Sequence, residues 1–265
     1  MASGARVAHH ARMNRDAPRA AGTAVVTGAG SGVGRATVRR LAARGHDVVL
    51  IGRGRAALDA VAAEVAPTGA RTAVVAADVA DRAAVEAGLR EARATLGPVR
   101  VVVHAAGIAE SSPLLPPDDA LFDRTVATNL RGAWVVTTAC LPDMVAARRG
   151  TVVHVASTAG LRGFRYVAAY VASKHGVVGL ARAMAEDLRS KGVAVHAVCP
   201  GFLDTPMTAR TIDKVVAATG RSRAEALADV LASGGQARLL SPEEVVDAIV
   251  RLIDDPSSTG SVVEL

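Results

Sequence analysis

The residues whose types and spacing could do chemistry stand between positions 157 and 174. Tyr170 and Lys174 are four residues apart, so a helix through this stretch would place both side chains on one face. A phenol with a usual pKa of about 10 is a poor acid near neutrality, and a nearby ammonium lowers that pKa. Ser157 could add a second hydroxyl beside an oxygen whose charge changes. The stretch predicts a proton-transfer site, although an ordinary surface helix could show the same pair.

A glycine-rich turn follows the first short apolar run. Thr27-Gly28-Ala29-Gly30-Ser31-Gly32-Val33-Gly34 comes directly after that run and opens an Ala- and Arg-rich helical pattern. Glycines at such a turn let a diphosphate approach the backbone at the positive end of the helix. The strict G-x-G-x-x-G spacing is not matched, and a plain connecting turn is the alternative. The strand-turn-helix context favours a dinucleotide site.

The next two strand ends suggest how the nucleotide is recognised. Gly52-Arg53-Gly54-Arg55 follows the second strand without the acid that an NAD ribose requires, and Asp47 precedes that strand. Arg53 suits the 2'-phosphate of NADP, with a solvated loop arginine as the alternative. After the third strand, Asp78 and Val79 reach the same edge, where Asp78 could bind the adenine amino group or cap the following helix.

Two further positions call for an explanation. His104-Ala105-Ala106-Gly107 ends the fourth strand, where small residues would let a cofactor lie across the strand end. His104 is interpreted as a structural residue. Asn129 is a poor helix former within a helical pattern, which predicts either a local bond to the backbone or a role in holding a water near the active centre.

Short apolar runs alternate with helical patterns from Thr23 onward, which predicts β-α units and a parallel sheet in one α/β domain. Strands are expected at 23–27, 47–51, 72–77, 99–104, 151–156, 193–199 and 261–265. Helices are expected at 33–44, 55–65, 81–96, 118–147, 168–190 and 242–254, with Pro142 kinking or ending the fourth.

The composition of the chain limits the kinds of partner that it could bind. The chain has 265 residues and a net charge of +6, with 28 Arg and only 3 Lys. Three of those six charges lie in the first twenty residues, so residues 1–21 are expected to be a disordered basic extension. Few aromatics and no interleaved basic run argue against nucleic-acid binding, and no run is apolar enough to span a membrane. Cys140 and Cys199 are expected to be buried reduced thiols of a cytoplasmic protein, with no metal site.

These features together resemble the short-chain dehydrogenase/reductase family over residues 23–265. Thr27 to Gly34 is similar to its T-G-x-x-x-G-x-G turn, Tyr170 and Lys174 to its Y-x-x-x-K pair, and Pro200 to Thr205 to its P-G segment. The resemblance implies a Rossmann-type doubly wound, seven-stranded parallel sheet with helices on both faces. Stretches around Ser157, Lys174 and Pro200 look most like bacterial polyketide or 3-oxoacyl ketoreductases.

The resemblance also implies residue roles. Ser157 would hydrogen-bond the substrate carbonyl, Tyr170 would protonate it, and Lys174 would lower the pKa of the phenol and hold the nicotinamide ribose. Asn129 would anchor a relay water, and Thr205 would bind the carboxamide. The implied catalytic residues are Asn129, Ser157, Tyr170 and Lys174. The cofactor-binding residues are Thr27, Gly28, Gly30, Ser31, Gly32, Val33, Gly34, Arg53, Asp78, Val79, Ala105, Ala106, Gly107, Asn129, Tyr170, Lys174, Pro200, Gly201, Leu203 and Thr205.

Two departures qualify these roles. The usual N-N-A-G after the fourth strand is His104 to Gly107 here, which puts local sheet cohesion in doubt more than the chemistry. The usual D-G-G tail does not follow the last strand, which leaves the contacts of a homo-oligomer, a tetramer or dimer, open. Residues 202–240 are expected to form a substrate lid, with an apolar stripe that could equally be plain core.

The predicted function is NADP(H)-dependent carbonyl reduction, with NAD(H) possible. The carbonyl or alcohol substrate is a small molecule that could be carried by an acyl-carrier protein or coenzyme A. The alternatives are a secondary alcohol or 3-hydroxyacyl dehydrogenase working oxidatively, and a non-catalytic cofactor-binding or nucleic-acid-binding regulator on the same fold.

Overall fold

The computed structural model describes residues 21–255 and 257–265, so the extension predicted for residues 1–21 lies, apart from Ala21, outside the described residues. The strands are β1 Thr23–Thr27, β2 Asp47–Gly52, β3 Thr72–Ala76, β4 Val99–His104, β5 Gly150–Val155, β6 Val193–Cys199 and β7 Val262–Glu264. They form one parallel seven-stranded sheet in the order β3-β2-β1-β4-β5-β6-β7. The predicted doubly wound sheet is confirmed, with each strand end within one residue of its expected place.

The helices between the strands lie where they were predicted, and α7 and α8 are two further helices within the segment 202–240, for which no helix bounds were predicted. They are α1 Gly32–Ala43, α2 Arg55–Val65, α3 Arg82–Leu96, α4 Asp119–Val126, α5 Gly132–Ala147, α6 Ala168–Arg189, α7 Pro206–Thr219, α8 Arg223–Gly234 and α9 Pro242–Asp254. The single long helix expected at 118–147 is α4 and α5 joined by a π-helical turn at Ala127–Arg131. The helix passes through Pro142 and continues to Ala147, so the expectation that Pro142 might end it is wrong.

Successive strand residues supply two separate cores, one on each face of the sheet. Val25 belongs to a cluster shared with α3, α5 and α6, whereas its neighbours Ala24 and Val26 belong to a cluster shared with α1, α2 and α9. Because side chains alternate across a strand, a strand that is apolar at every position can be buried on both faces. This is why the apolar runs in the sequence are continuous rather than alternating.

The strand order creates a crevice at one edge. Strand β1 has β2 on one side and β4 on the other, so the chain winds away from β1 in both directions. In open parallel sheets, ligands bind outside the carboxyl ends of the strands at this switch point. Thr27 and His104 end adjacent strands there, and they are register partners.

Residues 202–240 form a two-helix unit beside this edge. Helices α7 and α8 enclose a small cluster of their own, built on Ile212, Ala226 and Val230. Most of the apolar stripe noted in the sequence therefore packs between the two helices as core. The two ends of the segment meet where Leu203 bridges to Leu240.

Candidate active site

The proton-transfer groups lie on the first turns of α6, as the i, i+4 spacing predicts. The Lys174 Nζ is 5.6 Å from the centre of the Tyr170 ring, so both side chains share one face of the helix. Lys174 is buried, and its Nζ donates a hydrogen bond of 2.8 Å to the carbonyl of Val155 at the end of β5. This bond fixes the ammonium at the carboxyl edge of the sheet.

Ser157 is held against the same helix by a short turn. Its hydroxyl accepts a hydrogen bond of 3.1 Å from the Ala159 amide and also lies within hydrogen-bonding reach of the Tyr170 phenol. Gly160 packs so closely on α6 that an added Cβ would be 2.7 Å from the carbonyl oxygen of Lys174. The structure therefore brings Ser157, Tyr170 and Lys174 together.

Burial is the main influence on the pKa values of Tyr170 and Lys174. Burial raises the pKa of Tyr170 above its ordinary value, and the hydrogen bond with Ser157 offsets this only in part. Burial lowers the pKa of Lys174 to about 8. Desolvation disfavours the charged form of both groups, and the part of Lys174 in lowering the phenol pKa stays a prediction. The phenol is consequently held neutral, the form that can donate a proton.

Asn129 sits in the π-helical turn, and its side chain ties that turn to the loop after β4. Its Nδ2 donates to the carbonyl of Ile108 and to the hydroxyl of Ser173, both at 2.9 Å, while its Oδ1 accepts from the Ile108 amide at 2.8 Å. An added Cβ at Gly107 would lie 3.3 Å from Asn129 Oδ1 and 3.6 Å from Lys174 Nζ. The amide oxygen and the ammonium thus border the same space, which a side chain at position 107 would fill.

The glycine turn is shaped by contacts that exclude side chains. Gly28 and Gly32 have φ of 63° and 50°, and a Cβ on Gly34 would stand 2.2 Å from the carbonyl oxygen of Gly28. Ser31 begins α1 without a side-chain cap bond, and the first turn of α1 contains no acid. Helix-terminal amides without intrahelical partners bind anions readily. The turn therefore offers an anion-binding helix start at the crevice.

Other residues of this turn face inward. Val33 is buried in the core, and a Cβ on Gly30 would lie 3.1 Å from the Ala57 side chain of α2. Thr27 bonds the adjacent strand: its hydroxyl lies 3.0 Å from His104 Nδ1 and accepts from the Ala106 amide at 3.0 Å. The contact between His104 and Thr27 joins the ends of β4 and β1, and it supplies the sheet cohesion that the altered N-N-A-G motif left in doubt. Ala105 and Ala106 lie directly against Gly28.

Arg53 stands exposed just beyond β2. Among the described residues it has no ion-pair partner, whereas the neighbouring Arg55 is paired with Asp59 at 3.1 Å. Asp47 lies at the opposite end of β2, where Arg71 binds it at 2.6 Å. The strand edge at Arg53 therefore presents a free guanidinium with no carboxylate in the Gly52–Arg55 stretch.

The two residues predicted after β3 behave differently from each other. Asp78 is exposed, and its carboxylate accepts from the Ala80 amide at 2.9 Å. Asp81, not Asp78, caps α3 by accepting from Ala84, so the helix-cap alternative for Asp78 is wrong. Val79 turns its side chain into the core, where it packs so closely that a Cβ on Gly132 would be 2.5 Å from it. Only the backbone of Val79 remains open to a ligand.

The Pro200–Thr205 stretch reaches back to the glycine turn. An added Cβ on Gly32 would be 3.3 Å from the Thr205 side chain, which places Thr205 beside the start of α1. The Pro200 carbonyl accepts from the Thr158 amide at 2.9 Å, so the stretch is also bonded to the turn that holds Ser157.

Gln236 was not predicted, yet it clamps this stretch. Its Oε1 accepts from the Phe202 amide at 2.6 Å, and a Cβ on Gly201 would be 2.4 Å from the same oxygen. A lone Gln in the segment 202–240 carries no sequence signal for such a contact. The clamp fixes Gly201 and Leu203 at the base of the two-helix unit.

The residues at this edge fit a dinucleotide. The glycine turn leaves open the space that side chains would fill, the helix start suits a diphosphate, and Thr205 and Lys174 border the same crevice. A neutral tyrosine hydroxyl with a serine hydroxyl and a buried lysine suits an oxygen that gains or loses a proton. Fold and site define a nicotinamide-dependent oxidoreductase of the Rossmann class.

Comparisons with known proteins agree with this class. The model of the short chain dehydrogenase family matches residues 22–216. The chain is 37% identical to a putative ketoacyl reductase of the monensin polyketide synthase of Streptomyces virginiae, over 89% of this chain and 91% of that one. It is 35% identical to a 3beta-hydroxysteroid dehydrogenase of Mediterraneibacter gnavus, with 90% and 91% covered.

A solved structure shows the same architecture. A variant of actinorhodin polyketide ketoreductase with NADPH superposes with a TM-score of 0.86 at 33% identity, covering 92% of this chain and 95% of that one. The chain belongs to the short-chain dehydrogenase family, as the sequence motifs indicated. It is an oxidoreductase that acts on carbonyl or hydroxyl groups.

Two further properties of residues 21–255 and 257–265 concern membranes and metals. None of the helices there is long and apolar enough to cross a membrane. In the same part of the chain, no group of three or more His, Cys, Asp or Glu side chains could hold a metal ion. Cys140 and Cys199 are buried and unpaired, as predicted, and burial raises the pKa of the Cys140 thiol to about 12.

Proposed function

We propose that this chain is an NADP(H)-dependent ketoreductase with Tyr170 as the proton donor. The observation that carries the proposal is the contact of the Ser157 and Tyr170 hydroxyls beside the buried Lys174, at the edge where the glycine turn opens α1. When bound, a nicotinamide supplies hydride to the carbonyl carbon. Ser157 and Tyr170 then act on the carbonyl oxygen.

The residue roles follow from their surroundings. Ser157 and Tyr170 donate hydrogen bonds to the carbonyl oxygen, and Tyr170 gives up its proton as that oxygen becomes negative. The ammonium of Lys174, fixed by Val155, then stabilises the phenolate that remains. Because burial raises the phenol pKa, Tyr170 starts in the neutral form, which is the form that can donate a proton to a carbonyl oxygen.

A route for the returning proton is supported by Asn129. Both N–H groups of its amide are engaged, by Ile108 and Ser173, but its Oδ1 receives only the Ile108 amide and can accept once more. That oxygen and the Lys174 Nζ lie 3.3 and 3.6 Å from the position that a Cβ on Gly107 would take, so both border the same space. A water held there would return a proton to the lysine and so to Tyr170.

Residues at the two ends of the crevice would hold the cofactor. The diphosphate would lie at Ser31 and Gly32, the nicotinamide ribose at Tyr170 and Lys174, and the carboxamide at Thr205. Asp78 would reach the adenine, and Arg53 would bind a 2'-phosphate. The unpaired guanidinium of Arg53 is the observation that favours NADP over NAD.

A spectrophotometric screen tests the function. Oxidation of NADPH is followed with β-ketoacyl thioesters, cyclic ketones and steroid ketones, and NADP reduction is followed with secondary alcohols. We expect reduction of at least one ketone class, and Tyr170→Phe should lower kcat by at least about 100-fold, the usual contribution of a general acid. NADPH binding, measured by fluorescence titration, should persist in the variant and is the control. Near-normal turnover by Tyr170→Phe would remove Tyr170 from the proton-donor role.

The predicted cytoplasmic location and homo-oligomeric assembly stay predictions. Sedimentation of the purified chain would measure the oligomeric state directly. The assignment of residues 202–240 as a substrate lid likewise rests on their place beside the crevice and on the clamp by Gln236.

A further inference from the structure

The segment 161–167, which leads directly into α6, forms a wall between two other segments of the site. On one side, the Tyr166 carbonyl accepts a hydrogen bond of 2.8 Å from the Ser112 amide, in the loop after β4. On the other side, Arg162 donates to the Gly234 carbonyl at 2.7 Å, and the Phe164 and Phe202 rings meet edge to face at 6.3 Å. Segment 161–167 therefore lies between the loop after β4 and the two-helix unit, and it leads into the first turn of α6, which carries Tyr170.

Arg165 is an uncommitted cation of segment 161–167. Segment 161–167 contains Arg162 and Arg165 and no acid. Arg162 is engaged by the Gly234 carbonyl and lies 3.9 Å from Glu264. The acid of the facing loop, Glu110, is bound by Arg124 at 3.0 Å. Within the described part of the chain, Arg165 is exposed and has no carboxylate partner.

The neighbouring Tyr166 holds the guanidinium of Arg165 in place. Its guanidinium lies 5.3 Å from the centre of the Tyr166 ring and 3.4 Å from the Tyr166 hydroxyl. Tyr166 has φ of 64°, a left-handed backbone that residues other than glycine adopt rarely, and its hydrogen bond from Ser112 accompanies that conformation. Such strain persists where surrounding contacts impose it, and it concentrates at ligand sites.

The surroundings of Arg165 and Tyr166 suit a substrate that has a charged end and an apolar end. Leu114 and Leu115 stand exposed on the facing loop, 74% and 82% accessible, and Tyr166 is 58% accessible. Tyr170 follows Arg165 by five residues, so even a fully extended chain would place their Cα atoms at most about 17 Å apart. An apolar ketone that carries an anion at its far end would span these two residues.

We infer that Arg165, stacked on Tyr166, binds the anionic group of the carbonyl substrate and sets the specificity of the enzyme. The inference rests on the proposed ketoreductase function and names a substrate class for the same site. A guanidinium that lies over an aromatic ring can present its remaining N–H groups to a carboxylate or a phosphate in forked geometry. The anion is either the carboxylate of a keto acid or a phosphate of a coenzyme A thioester, and the two have the same chemistry at Arg165.

Two substrate pairs test the inference, each with the same reacting ketone and a different charge. The first pair is 4-oxocyclohexanecarboxylate and its methyl ester. The second pair is acetoacetyl-coenzyme A and acetoacetyl-N-acetylcysteamine. The wild-type enzyme should show the lower KM for the charged member of at least one pair, and the pair that shows it identifies carboxylate or phosphate as the anion.

Variants then assign that preference to the residue. Arg165→Ala should raise KM for the preferred anion by about 10-fold or more, the usual loss for a charged hydrogen bond, with kcat and the KM of the neutral member within about 2-fold. Arg165→Lys should restore part of the preference. Tyr166→Phe should keep it, and Tyr166→Gly should lose it, since glycine tolerates the backbone but removes the ring. Arg251→Ala is the control, because it removes an equal charge from the exposed face of α9.

The outcomes separate the inference from the function. If the neutral ketones are reduced as well as their charged partners, or if Arg165→Ala changes both members equally, the inference is wrong and the ketoreductase stands. If the enzyme reduces no ketone in either pair or in the wider screen, the proposed function fails and the inference falls with it.

Discussion

The Tyr170 phenol and the Lys174 ammonium share one face of α6, yet burial governs their protonation. Desolvation raises the pKa of the tyrosine and lowers the pKa of the lysine to about 8, so each is shifted toward its neutral form. The spacing of the two residues could be interpreted from the sequence as a proton-transfer pair. The direction of the pKa shift could not, because it depends on how much protein surrounds each group.

Arg53 provides a prediction at the same scale. Arg53→Ala should weaken NADPH binding by about 1.5–3 kcal/mol, the usual contribution of a hydrogen bond to a charged group, and leave NADH binding nearly unchanged. Fluorescence titration of both cofactors measures the difference. Arg55→Ala is the matched control, because that neighbouring guanidinium is already paired with Asp59. Equal losses for both cofactors would take Arg53 out of the phosphate site.

Among the elements, the π-helical turn at Ala127–Arg131 is the feature least accessible from sequence. Asn129 in the middle of a helical pattern was a sign that the helix is irregular, but it did not predict the type of irregularity. The turn places the Asn129 amide where it can bond both the amide and the carbonyl of Ile108. Those partners are twenty-one residues away and come close only when the loop after β4 folds across the helix.

The glycine turn carries a prediction at this scale. Gly34→Ala places a Cβ 2.2 Å from the Gly28 carbonyl oxygen, so the turn and α1 must separate. We expect the free energy of unfolding to fall by about 1–3 kcal/mol, the usual cost of overpacking, and NADPH binding to weaken. Urea denaturation and NADPH titration measure the two effects.

A second alanine variant controls this experiment. Gly179 lies within α6, and a Cβ there meets nothing within 4 Å. Gly179→Ala should therefore stabilise the protein by about 0.5–1 kcal/mol, because glycine is unfavourable within a helix. A Gly34→Ala variant that binds NADPH as well as the wild type would show that the cofactor does not use this turn.

At the scale of the whole molecule, two buried histidines in the sheet make the free energy of unfolding depend on pH. His104 and His154 are register partners on β4 and β5, with ring centres 6.1 Å apart on the face that carries Lys174. Burial lowers the pKa of His154 to about 4 and that of His104 well below its ordinary value, and the charge of Lys174 adds to both shifts. Both rings are therefore neutral in the folded protein near neutral pH.

The sign of the resulting pH dependence follows from this shift. Below a pH of about 6.5, the unfolded chain takes up protons at these histidines and the folded protein does not, so stability falls as pH falls toward 4. We expect His154 alone to lower the free energy of unfolding by about 2 kcal/mol between pH 7 and pH 5. Urea denaturation across this range measures the slope.

Substitutions isolate the contribution of His154. His154→Asn removes its titration and should flatten the dependence of unfolding free energy on pH between 7 and 5, whatever its effect on stability at pH 7. His175→Asn is the control, since His175 is exposed on α6. An unchanged slope in His154→Asn would mean that the acid sensitivity comes from other groups.

The sequence by itself determined the local pattern of this protein. Apolar runs predicted the ends of the strands to within one residue, since strands that are buried on both faces are apolar at successive positions. Motif spacing identified Ser157, Tyr170, Lys174 and the glycine turn, because each depends on residues close together in the chain.

Only the tertiary structure decided what depends on contacts between distant segments. It showed that Gln236 clamps Phe202, that Thr205 lies beside Gly32, and that Arg165 is left without a carboxylate among the described residues. It also showed that burial raises the pKa of Tyr170, a shift that the spacing of residues does not predict. A pKa and a clamp are set by the surroundings of a side chain, and those surroundings come from parts of the chain that sequence spacing does not relate.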